Sequence, residues 1–84
     1  MFAISIKFKE STSNAELIKH AEIIMNKHGF YENCAIYISL NDDMSKVMTA
    51  MDELKKLSNF HSSIINIIAF KLDQLSNFSK YIAN

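Results

Sequence analysis

The chain has 84 residues, 49% of them hydrophobic, with nine lysines, no arginine and nine acidic residues, so its formal net charge is zero. That length makes one domain, residues 1–84, with no room for a second. A neutral balance without arginine argues against a surface built around duplex nucleic acid, which calls for a basic surplus and for the planar fork that grips phosphate. The preference for lysine, isoleucine and asparagine reads as the codon usage of an AT-rich genome.

A domain this small buries a modest share of its surface and usually needs a disulfide, a metal or a partner subunit. The single cysteine, Cys34, cannot close an internal disulfide, and no Cys/His spacing fits zinc. A second copy of the chain is therefore the expected support. No apolar run approaches the ~20 residues of a membrane span. The start lacks the basic and apolar regions of a secretory leader, and a lone cysteine suits a reducing compartment. A cytoplasmic protein without a membrane partner is expected.

Residues 1–8, Met-Phe-Ala-Ile-Ser-Ile-Lys-Phe, read as a first strand, and Lys7 is its only charge. A polar loop follows to Asn14. Ser13 and Glu16 have capping-box spacing, so a helix is expected there. Its face is Leu17, Ala21, Ile24 and His28, with Ile18 and Met25 beside it, and Gly29 ends it. Phe30 to Leu40 is extended and reads as a strand or a hairpin, strongest over 34–40.

Asn41 or Asp42 is expected to cap a second helix, whose stripe is Met44, Val47, Met48, Met51 and Leu54. Core filling is the expected role of its methionines. Ser58-Asn59 breaks that helix. Ser63 to Leu72 is apolar on both faces apart from Asn66, which predicts a central strand. Residues 73–84 return to helical spacing through Leu75, Phe78, Tyr81 and Ile82. The order is a modified βαββαβ with a short C-terminal helix. It defines an α+β, ferredoxin-like domain with an antiparallel sheet and helices on one face. The other face then meets water or a second subunit.

The residues alone offer no catalytic set. His20 and His28 lie eight positions apart, about 80° around a helix, which is poor for joint ligation. Asp42-Asp43 reads as a helix start and Lys55-Lys56 as a solvated face. Cys34 reads as a small buried hydrophobe. No phosphate loop, Ser-His-Asp order or CxxC motif is present. No metal site and no cofactor are expected.

Several segments together carry a resemblance: Asn41-Asp42-Asp43-Met44, the run Ala50-Met51-Asp52-Glu53-Leu54-Lys55-Lys56-Leu57, the run Ile67 to Gln74, and Ser76-Asn77-Phe78. They resemble the virulence-associated protein D (VapD) family, whose members carry N-x-D-M, A-M/I-x-x-L-K/S-x-L, I-R-A-F-R/K-hydrophobic-E-x and S-D-F. The opening strand is similar to the family's M-Y-A-I-A-F-D-L, and His28-Gly29-Phe30 with Tyr37 to its G-F…Y segment. The resemblance covers nearly the whole chain and is most specific from Ala69 to Phe78. It implies a ferredoxin-like homodimer related to the small ribonuclease-like subunit of CRISPR spacer acquisition. It also implies messenger-RNA cleavage by some members, as toxins of toxin–antitoxin modules. The acid implied for that work closes the first strand, where a carboxylate could hold a divalent metal or activate an attacking oxygen.

In this chain that position is Lys7. An Arg-Asp pair of the family is replaced by Ile65 and Asn66, the arginine that follows is Ile68, and the T-Q-G-S stretch is shortened to Asn33-Cys34-Ala35. The first expectation is therefore a VapD-like dimer without the nuclease acid, a pseudoenzyme. It would bind a protein partner of toxin–antitoxin or mobile-element type as antitoxin, inhibitor or regulator. The alternative is an endoribonuclease with an altered site, using Lys7, Tyr37 and Ser39. RNA, and a divalent metal if one is needed, would belong to that case alone. A third possibility is a purely structural dimer. Ile64, Phe70 and Phe78 are the expected dimer contacts.

Overall fold

The computed structural model describes residues 1–11, 14–33, 35–76 and 78–83. Chain order gives β1 (Phe2–Phe8), α1 (Ala15–Lys27), β2 (Tyr31–Asn33), β3 (Ile36–Ser39), α2 (Met44–Lys55), α3 (Phe60–Ser63), β4 (Ile64–Lys71) and α4 (Ser79–Ala83). The four strands form one antiparallel sheet in the order β2-β3-β1-β4. This is the ferredoxin-like arrangement: the two long helices carry the chain back so that the last strand returns beside the first.

Apolar alternation places Phe2 and Ile4 of β1 and Tyr37 of β3 on one face. There they join Ala21 and Met25 of α1, Val47, Ala50 and Leu54 of α2, and Phe30 and Phe60 in a single core. Ile6, Phe8, Ile64 and Ile67 pack against its edge, and the Phe8 and Phe60 rings meet edge to face at 6.0 Å between centroids. Helix α1 ends where Gly29 turns left-handed at φ +84°, a conformation that a β-carbon would oppose. Asp43 caps α2, its carboxylate accepting the Ser45 amide N–H at 2.9 Å. The cap is thus one residue beyond Asp42, whose carboxylate pairs with the amino terminus. Ser13 of the predicted capping box, Cys34, and Asn77 of the Ser-Asn-Phe segment lie outside the described residues.

Three expectations are corrected. β4 is an edge strand, not a central one. Its second apolar face, Ile68 and Phe70, is turned away from α1 and α2 and is exposed. The methionine stripe also divides: Met44 and Met48 are more than half exposed, and the core side of α2 is Val47, Ala50 and Leu54. Residues 73–76 and 78 are not helical, so α4 begins only at Ser79 and not at the predicted residue 73. No described helix is long and apolar enough to cross a membrane.

Candidate functional site

Side chains alternate across a strand, so the register decides which residues share a face. Lys7 sits directly opposite Asn66 of β4, and Ser5 lies between Ile36 and Ile68. One row further, Ala3 lies between Ile38 and Phe70, with Tyr31 beyond Ile38. These residues make up the sheet face turned away from α1 and α2. The strands skip a residue between Lys7 and Phe8, and Ile65 is the extra residue on β4. This bulge re-aims the strand end next to Lys7.

That face is divided in two. At the Met1 end it is covered: Ala3 and Ile38 are buried although no long helix lies over them. The chain after β4 supplies the cover. The Leu72 amide donates to the Met1 carbonyl at 2.8 Å, and Leu75 lines a hollow with Met1, Tyr31, Ile38 and Leu40. At the Lys7 end it is open. Lys7 and Asn66 are exposed, Ile68 is 52% exposed and Phe70 38%.

The face carries no carboxylate among its described residues. The strand positions that compose it are Ala3, Ser5, Lys7, Tyr31, Asn33, Ile36, Ile38, Asn66, Ile68 and Phe70 in register. Nor do three His, Cys, Asp or Glu side chains gather anywhere among the described residues in a way that could hold a metal ion. A divalent ion held by an acid at the end of β1 would find an ammonium there instead, so the residues present do not fit such an ion.

The structure separates the residues of the altered-site alternative. Tyr37 pairs with Ile4 and is buried in the helix-side core, across the sheet from Lys7. Burial pushes its phenol pKa up, and the carboxylates of Glu22 and Glu32 push it further the same way. It therefore stays protonated and is a poor base. Ser39 pairs with Phe2 at the far end of β1, where its hydroxyl oxygen accepts the Asn41 amide N–H at 3.2 Å. Neither shares the face that Lys7 occupies. Of the positions expected from the resemblance to depart from the family pattern, Lys7, Asn66 and Ile68 share this face, while Ile65 sits at the bulge. Such a grouping depends on pairing between residues some sixty positions apart, so no local signal announces it. Of the three predicted dimer contacts, Phe70 lies on this face and Phe78 is exposed beyond it. Ile64 instead packs half-buried against the core.

His28 is also apart from Lys7, at the other end of the sheet near Ser39. His28 Nε2 and Lys27 Nζ each lie 2.9 Å from Glu53 Oε1, tying the end of α1 to α2. Hydrogen bonds from Lys27 and then His28 hold the Glu53 carboxyl below the usual glutamate range.

These features define a ferredoxin-like α+β domain with one helix-covered sheet face and one open face that presents a lysine at the end of the first strand. The chain belongs to the VapD family, a family of endoribonuclease type. It is 36% identical over 62 residues to Endoribonuclease VapD of Haemophilus influenzae, covering 73% of this chain and 68% of that protein. Over 59 residues it is 36% identical to an Endoribonuclease VapD homolog of Neisseria gonorrhoeae, covering 69% of this chain and 64% of that protein. Over 60 residues it is 30% identical to Endoribonuclease VapD 1 of Riemerella anatipestifer, covering 70% of this chain and 67% of that protein. No family model matches the chain.

Proposed function

We propose that this chain is a homodimeric VapD-type protein that acts by binding a protein partner, as antitoxin, inhibitor or regulator in a toxin–antitoxin or mobile-element system, and that it lacks acid-dependent RNA cleavage. One observation carries the reading. The sheet face holding the end of β1 has no carboxylate among its described residues, and Lys7 stands there against Asn66 with apolar Ile68 and Phe70 alongside. Carboxylates bind divalent ions and take protons from attacking oxygens, and an ammonium does neither. An open face of isoleucine and phenylalanine is instead suited to burial against another protein. A cytoplasmic setting belongs to the same reading.

The names of the relatives favour a second reading, an endoribonuclease in which Lys7 stabilises charge on a phosphoryl group while the RNA 2′-hydroxyl attacks. Tyr37 and Ser39 do not support Lys7 in that role, since they lie elsewhere in the fold. Labelled RNA incubated with the chain and with Lys7→Ala, in magnesium, manganese or chelator, separates the two. The protein-binding reading expects no cleavage by either protein at concentrations where an active VapD endoribonuclease cuts. Cleavage by the chain that disappears in Lys7→Ala overturns it.

A further inference from the structure

The outer edge of β4 runs beside an uncovered stripe of α2. The Leu72 amide, just past β4, turns toward β1 and bonds the Met1 carbonyl. Backbone groups alternate in direction along an antiparallel strand. Those of Asn66, Ile68 and Phe70 therefore also point to β1, and those of Ile67, Ala69 and Lys71 point away from it. No described strand pairs with that outer edge. The helix layer stops short of it as well. Ile4 of β1 is fully buried, yet Ala69, its partner in the same row on the same face, is exposed.

Helix α2 forms the other wall. Met44, Met48, Met51 and Lys55 follow one another at three or four residues and make one stripe along it. Glu53, tied to Lys27 and His28, marks the opposite flank, toward α1. Met51 and Lys55 line a hollow of about 180 Å³ together with Leu54, His61 and the β4 residues Ile64 and Ile67. Cavities of that order take up a benzene ring, so there is room for one apolar side chain. Further along the stripe Met44 and Met48 are exposed. There the Asp42 carboxyl pKa is lowered by its bond to the amino terminus and, further, by the nearby Lys71 ammonium, which places the start of α2 beside the end of β4. No carboxylate lines the hollow, and Lys55 and His61 are exposed without an ion-pair partner among the described residues.

Unpaired backbone groups call for another extended backbone. Adaptable methionines call for apolar side chains at every second position of it, and the Lys55 end calls for a carboxylate. A second copy laying its own β4 here antiparallel would set Lys71 against Lys55, like charge on like. We infer that the trough between β4 and α2 binds an extended segment of a partner protein, with an apolar side chain in the hollow and an acidic side chain against Lys55. The segment runs antiparallel to β4, the more stable pairing. The inference rests on the protein-binding reading for its kind of partner, while its site lies across the sheet from the Lys7 face.

The test is a titration of the full chain with the peptide acetyl-Thr-Val-Thr-Val-Thr-Leu-Thr-Glu-amide, as long as the eight residues of β4, followed by amide chemical shifts. The peptide should saturate at about millimolar concentration or below, moving the amides of Ile67, Ala69 and Lys71. N-methylation of its valines and leucine, which removes the pairing N–H groups, should abolish saturation. Lys55→Glu, at an exposed position, should weaken binding at least about tenfold. Ala69→Pro removes an outward N–H at a strand edge, where proline is tolerated, and should weaken it similarly. The inference is overturned if no saturable shift occurs up to on the order of 10 mM, if the N-methylated peptide binds equally well, or if Lys55→Glu changes nothing. Shifts of the same amides with protein concentration alone assign the edge to a second copy and overturn the partner segment. Peptide shifts centred on Lys7, Ile68 and Phe70 overturn the location and leave the protein-binding reading standing, since that reading is decided by the RNA assay above.

Discussion

On the helix side of the sheet, Phe2, Ile4 and Tyr37 meet two helices and are shut off from water. On the other side, the same strands present Ser5, Lys7, Asn66 and Ile68, and only the Met1 end is covered by the chain after β4. The first face makes the domain fold. The second is free of that duty, so its residues can change without loss of the core. The polar and charged Ser5, Lys7 and Asn66 accordingly gather on the open face. A site built on a surface that the core does not need can be rebuilt or abandoned independently of the fold.

The contrast between the faces is open to direct challenge. The largest effect is expected from Ile4→Ala, which removes a fully buried side chain and should cost about 2–5 kcal/mol in denaturant unfolding. Phe70→Ser on the open face should change the stability of the isolated domain by less than about 1 kcal/mol. In the proposed dimer it should lower the sedimenting mass toward that of a monomer. If Phe70→Ser unfolds the protein as severely as Ile4→Ala, or if the unaltered chain is already a stable monomer at micromolar concentration, the division of labour fails.

The smallest effect concerns the tie between the helices. The Glu53 carboxyl is held below its usual range in the folded state. Its contribution is therefore fully present above the ordinary glutamate range and is lost as pH falls through the lowered value. A pH series of thermal midpoints should show that acid-side loss, and Glu53→Gln should flatten it. An identical acid limb in both proteins would leave Lys27, His28 and Glu53 as surface contacts without consequence.

The sequence displayed most of the fold, because its signals are local. Alternation in residues 1–8, the break at Gly29, and Val47 and Leu54 at helical spacing all reappear in the structure. What was not legible depends on pairing. β4 is apolar on both faces whether it is central or at an edge, and only its neighbours decide. Met44 and Met48 follow the same period as Leu54, yet their side of α2 is exposed. For the candidate site, Lys7 was conspicuous as a lone charge in an apolar strand. That Tyr37 faces away from it follows from a register joining β1 to β3, which no stretch of sequence states.

The pairing of β1 with β4 has a consequence in time as well as in space. Strand β1 has partners at positions 36–39 and 64–71, so it is made well before its second neighbour. Until then, one edge of an almost wholly apolar strand has nothing to bond to. Contacts between such distant parts of a chain form slowly, and unpaired strand edges in half-made proteins invite association. The order of synthesis therefore leaves β1 as the segment most in need of protection while the chain is being built, although it is the most enclosed strand of the finished domain.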